Sequence, residues 1–426
     1  MDLFTPPTRD ERQEEGRIKW IDNKCRGTLE YGTGVGKTYT AIKCAKSVLN
    51  KYPQFRILVV VPTDLLKEQW IMQLTKHGIF MNAEVVVINT VVKHEWTCDI
   101  LIIDEIHRMG ADTFSEVFER VKYRMILGLT ATLERLDGRH KIIEKYCPII
   151  DTISLEEALQ NGWVSDYVEY KVYIDADISE YREYNREFSE HFAYFDYNFP
   201  LAMQMIGKDG YKHRLAYRDF ICERDGIKKE GSLKSQILQE ITFHAVGFTR
   251  TMQQRKQFIY NHPDKIRLAQ LICDYRKDCK IVTFSATTKI AEKIGRGSVY
   301  TGKDSKKKSR ITLEEFSQMA TGVLNTVKKA DEGMDVPGLS VAIILGMDSS
   351  STKMTQRTGR VVRFAPNKRA EIFTFVVRGT VEEEWFNKSH LNKKFVTLDE
   401  EQLMHVLRRE PFEEVTKKPM TFMFRY

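Results

Sequence analysis

The chain reads as an α/β protein with two parallel-sheet lobes and a mostly helical insertion in or before the second. Three observations carry this. Short apolar runs of strand length alternate with stretches of helical pattern. A glycine-rich loop separates one such run from the helix that follows it. The alternation then stops for a polar, aromatic-rich interval and returns downstream. Strands covered on both faces read as unbroken apolar runs, and strands that alternate with helices pair in parallel.

The first lobe is expected over 1–164. Residues 27–31 tend to apolar and form the first strand. The runs Ile57–Val61, 99–103 and 125–129 are further strands, and 40–49 and 65–76 carry helical spacing. The second lobe is expected to open with an alternating strand inside 165–177 and to continue over 263–380. Its strand candidates are 280–284, 321–326, 341–345 and 371–377, with a helix over 289–295. The insertion is expected over 178–262. It carries Tyr181, Tyr184, Phe188, Phe192, Tyr194, Phe195, Tyr197 and Phe199 at helical spacing, which favours helices packed on a core over bases stacked on rings. The basic stretch 208–224, with two tyrosines, is the better candidate to touch a duplex or a branch. Residues 381–426 form a partly helical tail.

With 426 residues and a 42% hydrophobic share, the chain can build two or three cores. No run of about 18 apolar residues appears, so no membrane span is expected. The first residues lack a basic start and an apolar stretch, which argues against a secretory signal and for the cytoplasm. Seven scattered cysteines with no C-x-x-C pair argue against a disulfide framework or a zinc site. A formal charge of +7 permits a polyanionic partner without requiring one.

The chemistry sits in four segments. Gly32-Thr33-Gly34-Val35-Gly36-Lys37-Thr38 lies between a strand and a helix. Glycines let backbone N–H groups converge on phosphates at a helix N-terminus. Lys37 then meets the β- and γ-phosphates of ATP, and the Thr38 hydroxyl meets Mg2+. The pattern G-x-x-x-x-G-K-[ST] has Tyr31 where its first glycine is expected. Asp104-Glu105-Ile106-His107 follows an apolar strand, at the sheet edge where ligands bind. Asp104 suits Mg2+ held through water, and Glu105 suits the orientation and deprotonation of the attacking water. His107 can link that site to Thr130-Ala131-Thr132. Far downstream, Arg360 and Arg363 are spaced to share a helix face, from which they can meet charge on the γ-phosphate. Each segment alone has a bland reading, because glycine loops, acidic turns and basic helix faces are common. In this order they read as an ATP-driven motor.

These segments resemble the superfamily 2 helicases and translocases. Residues 31–38 match motif I, Asp104–His107 motif II, Thr130–Thr132 motif III, and Q-x-x-G-R-x-x-R at 356–363 motif VI. Val61-Pro62-Thr63 with Leu66, Gln69 and Trp70 resembles motif Ia, Thr283-Phe284-Ser285 motif IV, and 330–337 motif V. The wording at 127–133 and 329–339 is similar to the XPB-like group and to the UvsW-like branch-migration helicases of phages.

The resemblance implies two RecA-like lobes with ATP and Mg2+ in their cleft. It places Gln13 on adenine, Gly32 to Thr38 and then Gly333 and Asp335 around the nucleotide, and Gln356, Arg360 and Arg363 in catalysis. It places Thr63, Thr90, Ser285, Gly302, Lys303 and Thr326 on nucleic acid. The basic run Lys303, Lys306, Lys307, Lys308 and Arg310 suits a phosphate backbone. The expected function is an ATP-dependent DNA helicase or translocase on forked or branched DNA, monomeric or weakly oligomeric. The alternatives are an RNA helicase of the same superfamily, the motor subunit of a restriction complex, and an ATP-gated clamp that does not unwind.

Overall fold

The computed structural model describes residues 7–110, 112–133, 138–227, 232–301, 304–327, 336–347, 369–390 and 394–412. The first sheet is built from β1 (Arg26–Tyr31), β2 (Ile57–Val61), β3 (Ala83–Val87), β4 (Ile100–Asp104), β5 (Met125–Thr130) and β6 (Ile149–Ile153). Its order is β3-β2-β4-β5-β1-β6, and its pairs are parallel. The apolar runs are continuous because both faces are covered. Val59, Val61, Ile102 and Leu127 join one core with Trp20, Ile42 and Trp70 from helices α1 (Arg9–Asp22), α2 (Lys37–Leu49) and α3 (Asp64–Lys76). Leu58, Val60, Leu101 and Ile126 join the opposite core with Met109, Phe118 and Ile143.

The second sheet holds β7 (Asp166–Ile174), β8 (Lys280–Ser285), β9 (Ser298–Tyr300), β10 (Gly322–Val327), β11 (Leu339–Ile344), β12 (Arg369–Val377) and β13 (Val396–Leu398). Its order is β9-β10-β8-β11-β12-β7-β13, again with parallel pairs. β7 lies against β12 along its whole length, from Asp166 opposite Arg369 to Ile174 opposite Val377. The fold of this lobe runs past residue 380, where the sequence suggested a separate tail. Phe386, Leu398, Leu403 and Leu407 all enter its cores, and β13 adds a strand beside β7. That strand is too short to show a pattern, and its partner is distant in sequence.

Between β7 and β8 the chain forms the helices Ser179–Ala193, Phe199–Gln204, Gly210–Arg224 and Ser232–Tyr260. They enclose a core of their own, made of Phe195, Ala202, Met205, Cys222, Ile237, Ile241, Ala245 and Phe248. Phe188, Phe192 and Tyr194 pack against it, while Tyr197 and Phe199 stay exposed. The long helix Ser232–Tyr260 ends in the second lobe, where Ile259 is in the core and the Tyr260 hydroxyl donates to Met347 O at 2.7 Å. Among the described residues no helix is long and apolar enough to cross a membrane.

Candidate active site

The strand order β4-β5-β1 sets three loops side by side at one sheet edge. Asp104 ends β4, Thr130 ends β5, and the glycine loop follows β1. Neighbouring strands stand about 4.8 Å apart, so side chains from these ends meet over one small area.

The glycine loop leads into α2 through Gly36, whose φ is +101°. Gly34 is also left-handed, at +92°. Such angles favour glycine, which has no Cβ. No side chain caps the start of α2. Its first N–H groups, with the positive end of the helix dipole, therefore make an anion site. Lys37 Nζ donates to Tyr31 O at 3.0 Å, which holds the ammonium over the loop. The Thr33 hydroxyl is buried without a hydrogen-bond partner among the described residues. Val35 is buried, and its carbonyl accepts from Gln13 Nε2 at 2.7 Å.

The acidic end of β4 is held as firmly. Asp104 is buried, and its Oδ2 accepts from Trp70 Nε1 at 2.8 Å. Its Oδ1 accepts from the Glu105 N–H at 3.0 Å. Burial and the neighbouring Glu105 charge push its carboxyl up to about 6, against the opposing pull of Trp70 and Lys37. Glu105 has φ +52°, a left-handed conformation that costs a non-glycine residue about 1 kcal/mol and is common at functional sites. Its Oε2 lies 3.3 Å from His107 Nδ1, an ion pair when the ring is protonated, and makes no hydrogen bond among the described residues. The same His107 nitrogen is 3.0 Å from Thr130 Oγ1. That hydroxyl donates to Thr132 O at 2.8 Å. His107 thus joins the acidic pair to the Thr130–Thr132 turn. The turn is tied back to β1, since the Leu133 N–H donates to Glu30 Oε1 at 2.7 Å.

Other expected site residues fall differently. Thr63 caps α3, with its hydroxyl accepting from the Leu66 N–H at 3.3 Å. Thr90 is exposed on the short helix Ile88–Val91. Thr326 does not face a track in this structure. It is fully buried in β10, and its hydroxyl donates to Thr283 O at 2.6 Å, so the side chain faces the sheet interior. Ser285 is also buried, at the end of β8. Gly302, Lys303, Gly333, Asp335, Gln356, Arg360 and Arg363 lie outside the described residues. Two contacts had no signal in the sequence. Trp70 meets Asp104 across 34 positions, and Arg12 meets Asp151 across 139.

The residues present fit a nucleoside triphosphate with a divalent cation. A helix start without a side-chain cap lies at the same sheet edge as Thr33 and Glu105, whose hydroxyl and Oε2 make no hydrogen bond among the described residues. A glycine loop beside an acidic strand end, both at the carboxyl edge of a parallel sheet, defines the phosphate-loop class of nucleotide-binding proteins.

Comparison with known proteins narrows the class. The family described as the type III restriction enzyme res subunit matches residues 8–95 and 89–135, and the helicase conserved C-terminal domain matches 264–365. The chain is 26% identical over 394 residues to the DNA 3'-5' translocase XPB2 of Sulfurisphaera tokodaii, covering 87% of this chain and 82% of that protein. It is 25% identical to an uncharacterized protein of Mycobacterium tuberculosis, again over 87% of this chain but only 61% of the relative. A putative ATP-dependent RNA helicase of Acanthamoeba polyphaga mimivirus is 31% identical, over 34% of this chain and 31% of that one. Among solved structures, the Pyrococcus furiosus Hef helicase domain aligns with a TM-score of 0.51 at 18% identity, covering 91% of this chain and 98% of that one. Saccharomyces cerevisiae Dbp5 bound to RNA and ADP BeF3 aligns at 0.59 and 14% identity, covering 93% and 91%. Both lobes are RecA-like. The chain belongs to the superfamily 2 helicases, in the XPB-like group, and is an ATP-hydrolysing helicase.

Proposed function

We propose that the chain is an ATP- and Mg2+-dependent DNA helicase or translocase that acts on forked or branched DNA. The observation that carries the motor is the meeting of Lys37, the Asp104–Glu105 pair and the His107–Thr130 link at adjacent strand ends. Bound ATP with Mg2+ supplies the phosphoryl group to be transferred and part of its charge compensation. The chain's own groups do the rest. N–H groups of the loop and of α2 hold phosphate, and Lys37 compensates its charge. Thr38 and Asp104 hold the cation, and Trp70 fixes the Asp104 carboxylate. Glu105 orients water and takes its proton, while His107 reports the state of that site to the Thr130–Thr132 turn. Gln13 meets the base. Arg360 and Arg363, with Gln356, reach the site from the second lobe, so that nucleotide binding draws the lobes together and hydrolysis releases them.

DNA is favoured because one of the relatives matched along 87% of this chain is a DNA translocase, whereas the relatives named as RNA helicases match 34% and 27%. Branched DNA is favoured by the insertion. Its helix Gly210–Arg224 carries Lys212 and His213, both exposed, next to the exposed ring of Tyr211, and the exposed ring of Phe220 nearer its other end. Such a surface suits backbone phosphates and splayed bases.

The test is ATP hydrolysis by the purified chain with no nucleic acid, single-stranded DNA, duplex, fork, four-way junction and RNA. Strongest stimulation by fork or junction is expected. Stimulation by RNA alone would replace DNA as the track, and equal stimulation by single strands and forks would remove the branched substrate.

A further inference from the structure

Beneath the glycine loop lies a buried cluster around Tyr31, the first residue of motif I, whose other members, Arg12, Lys19 and Asp151, belong to none of the motifs above. Tyr31 ends β1 at the position where loops of this pattern begin with glycine, and it is fully buried. Its phenol donates to Asp151 Oδ2 at 2.7 Å. Arg12, on α1, grips the same carboxylate with both ends of its fork, Nη1 to Oδ2 at 2.6 Å and Nη2 to Oδ1 at 3.0 Å. Lys19 Nζ adds a contact to Oδ1 at 2.5 Å. Each Asp151 oxygen therefore accepts two hydrogen bonds, which is the full capacity of a carboxylate. Burial alone would raise the Asp151 pKa, but the donors from Arg12, Lys19 and Tyr31 outweigh it and lower it.

The cluster fixes the distance between α1 and β1. Gly16 faces Tyr31 directly, and a Cβ on Gly16 would stand 1.8 Å from the phenol oxygen. Tyrosine at 31 and glycine at 16 are a matched pair. One residue past Arg12 on the same helix is Gln13, whose Nε2 donates to Val35 O inside the loop. A Cβ on Gly36 would stand 2.5 Å from that nitrogen. Helix α1 thus touches β1 through Gly16 and the loop through Gln13. One N–H of the Gln13 amide is given to Val35, which leaves its second N–H and its oxygen, an acceptor. Adenine offers an exocyclic N–H to such a group, and guanine offers a second acceptor.

We propose that Tyr31 and Asp151, acting through Arg12, are positioning residues for the nucleotide: they lock α1 so that Gln13 is fixed against the phosphate loop, and they thereby set the affinity for ATP and its preference over GTP. The inference rests on the ATP site proposed above.

The experiment is a size-swap in the full chain, read by steady-state hydrolysis of ATP and GTP. Gly16→Ala should raise the ATP KM by about tenfold and reduce the ATP-over-GTP preference, with kcat within about twofold. Tyr31→Phe should raise KM by about fivefold, the worth of one buried hydrogen bond. The double variant Gly16→Ala/Tyr31→Phe should bring KM back towards the Tyr31→Phe level, since the 1.8 Å overlap with the phenol oxygen is gone and the remaining approaches, 3.1 Å to the ring and 3.2 Å to Asp151 Oδ2, need shifts of only a few tenths of an ångström. A double variant no better than Gly16→Ala, or effects confined to kcat, would overturn the proposal. If Gly16→Ala does not fold, Tyr31→Phe decides alone: a raised KM with retained kcat supports positioning, and an unchanged KM refutes it. Gln13→Ala separates the two layers. Loss of preference in Gln13→Ala but not in Gly16→Ala sinks the clamp alone, while preference intact in Gln13→Ala sinks the base contact and the clamp's purpose with it.

Discussion

Each lobe carries a strand–loop–helix unit on its sheet, and the two units end in opposite ways. In the first lobe, β1 leads through the glycine loop to α2, whose start is Gly36 with no side-chain cap. In the second, β8 leads through Ala286 to the helix Thr288–Ile294, and the Thr287 hydroxyl accepts from the Ile290 N–H. A helix start leaves N–H groups that need acceptors. The second lobe supplies one from its own chain. The first lobe leaves the position open, arches the backbone through left-handed glycines and hangs Lys37 above it. Similar folds therefore divide the labour: one lobe is closed on itself at this point, and the other is finished by an anion.

The sharpest way to break this comparison is Lys37→Ala, which should cut hydrolysis about a thousandfold by removing charge compensation at the loop. A phosphate-release assay showing normal turnover would end the assignment of the loop. Glu105→Gln should lower turnover by about a hundredfold while equilibrium binding of ATP persists, because only proton transfer is lost. Loss of binding instead would mean that Glu105 builds the site and does not act in it. Gly36→Ala combines a left-handed backbone with a Cβ that would stand 2.5 Å from Gln13 Nε2, so ATP KM should rise about tenfold. The smallest effect belongs to the second lobe. Thr287→Ala should cost about 1 kcal/mol of stability in a denaturant titration and leave the ATP KM unchanged. A nucleotide effect from Thr287→Ala would show that the two helix starts are not the contrast they look to be.

The motifs were legible because their chemistry is local. Lys37 and Thr38 follow their glycines directly, and Asp104 and Glu105 close an apolar run, so a few adjacent residues carry each signal. The apolar strands were legible because both faces are buried, which removes the alternation that a half-exposed strand would show. What could not be read was whatever a distant partner decides. β6 holds a buried aspartate in a strand of only five residues, and its charge is tolerated because Arg12 and Lys19 reach it from α1. The resemblance put Thr326 on nucleic acid, yet the Thr283 carbonyl on the neighbouring strand takes its hydroxyl. Tyr31 looked like a simple departure from glycine, and its reason lies in Gly16, on another element.

The helix Ser232–Tyr260 has 29 residues, a length of roughly 43 Å. Its early turns are buried in the insertion's core at Ile237 and Ile241, and its last turn is buried in the second lobe at Ile259. It is one unbroken helix with its foot in one core and its head in another. A rotation of the second lobe by about ten degrees swings the far end through roughly 7 Å, about the rise of two stacked nucleotides, by leverage alone.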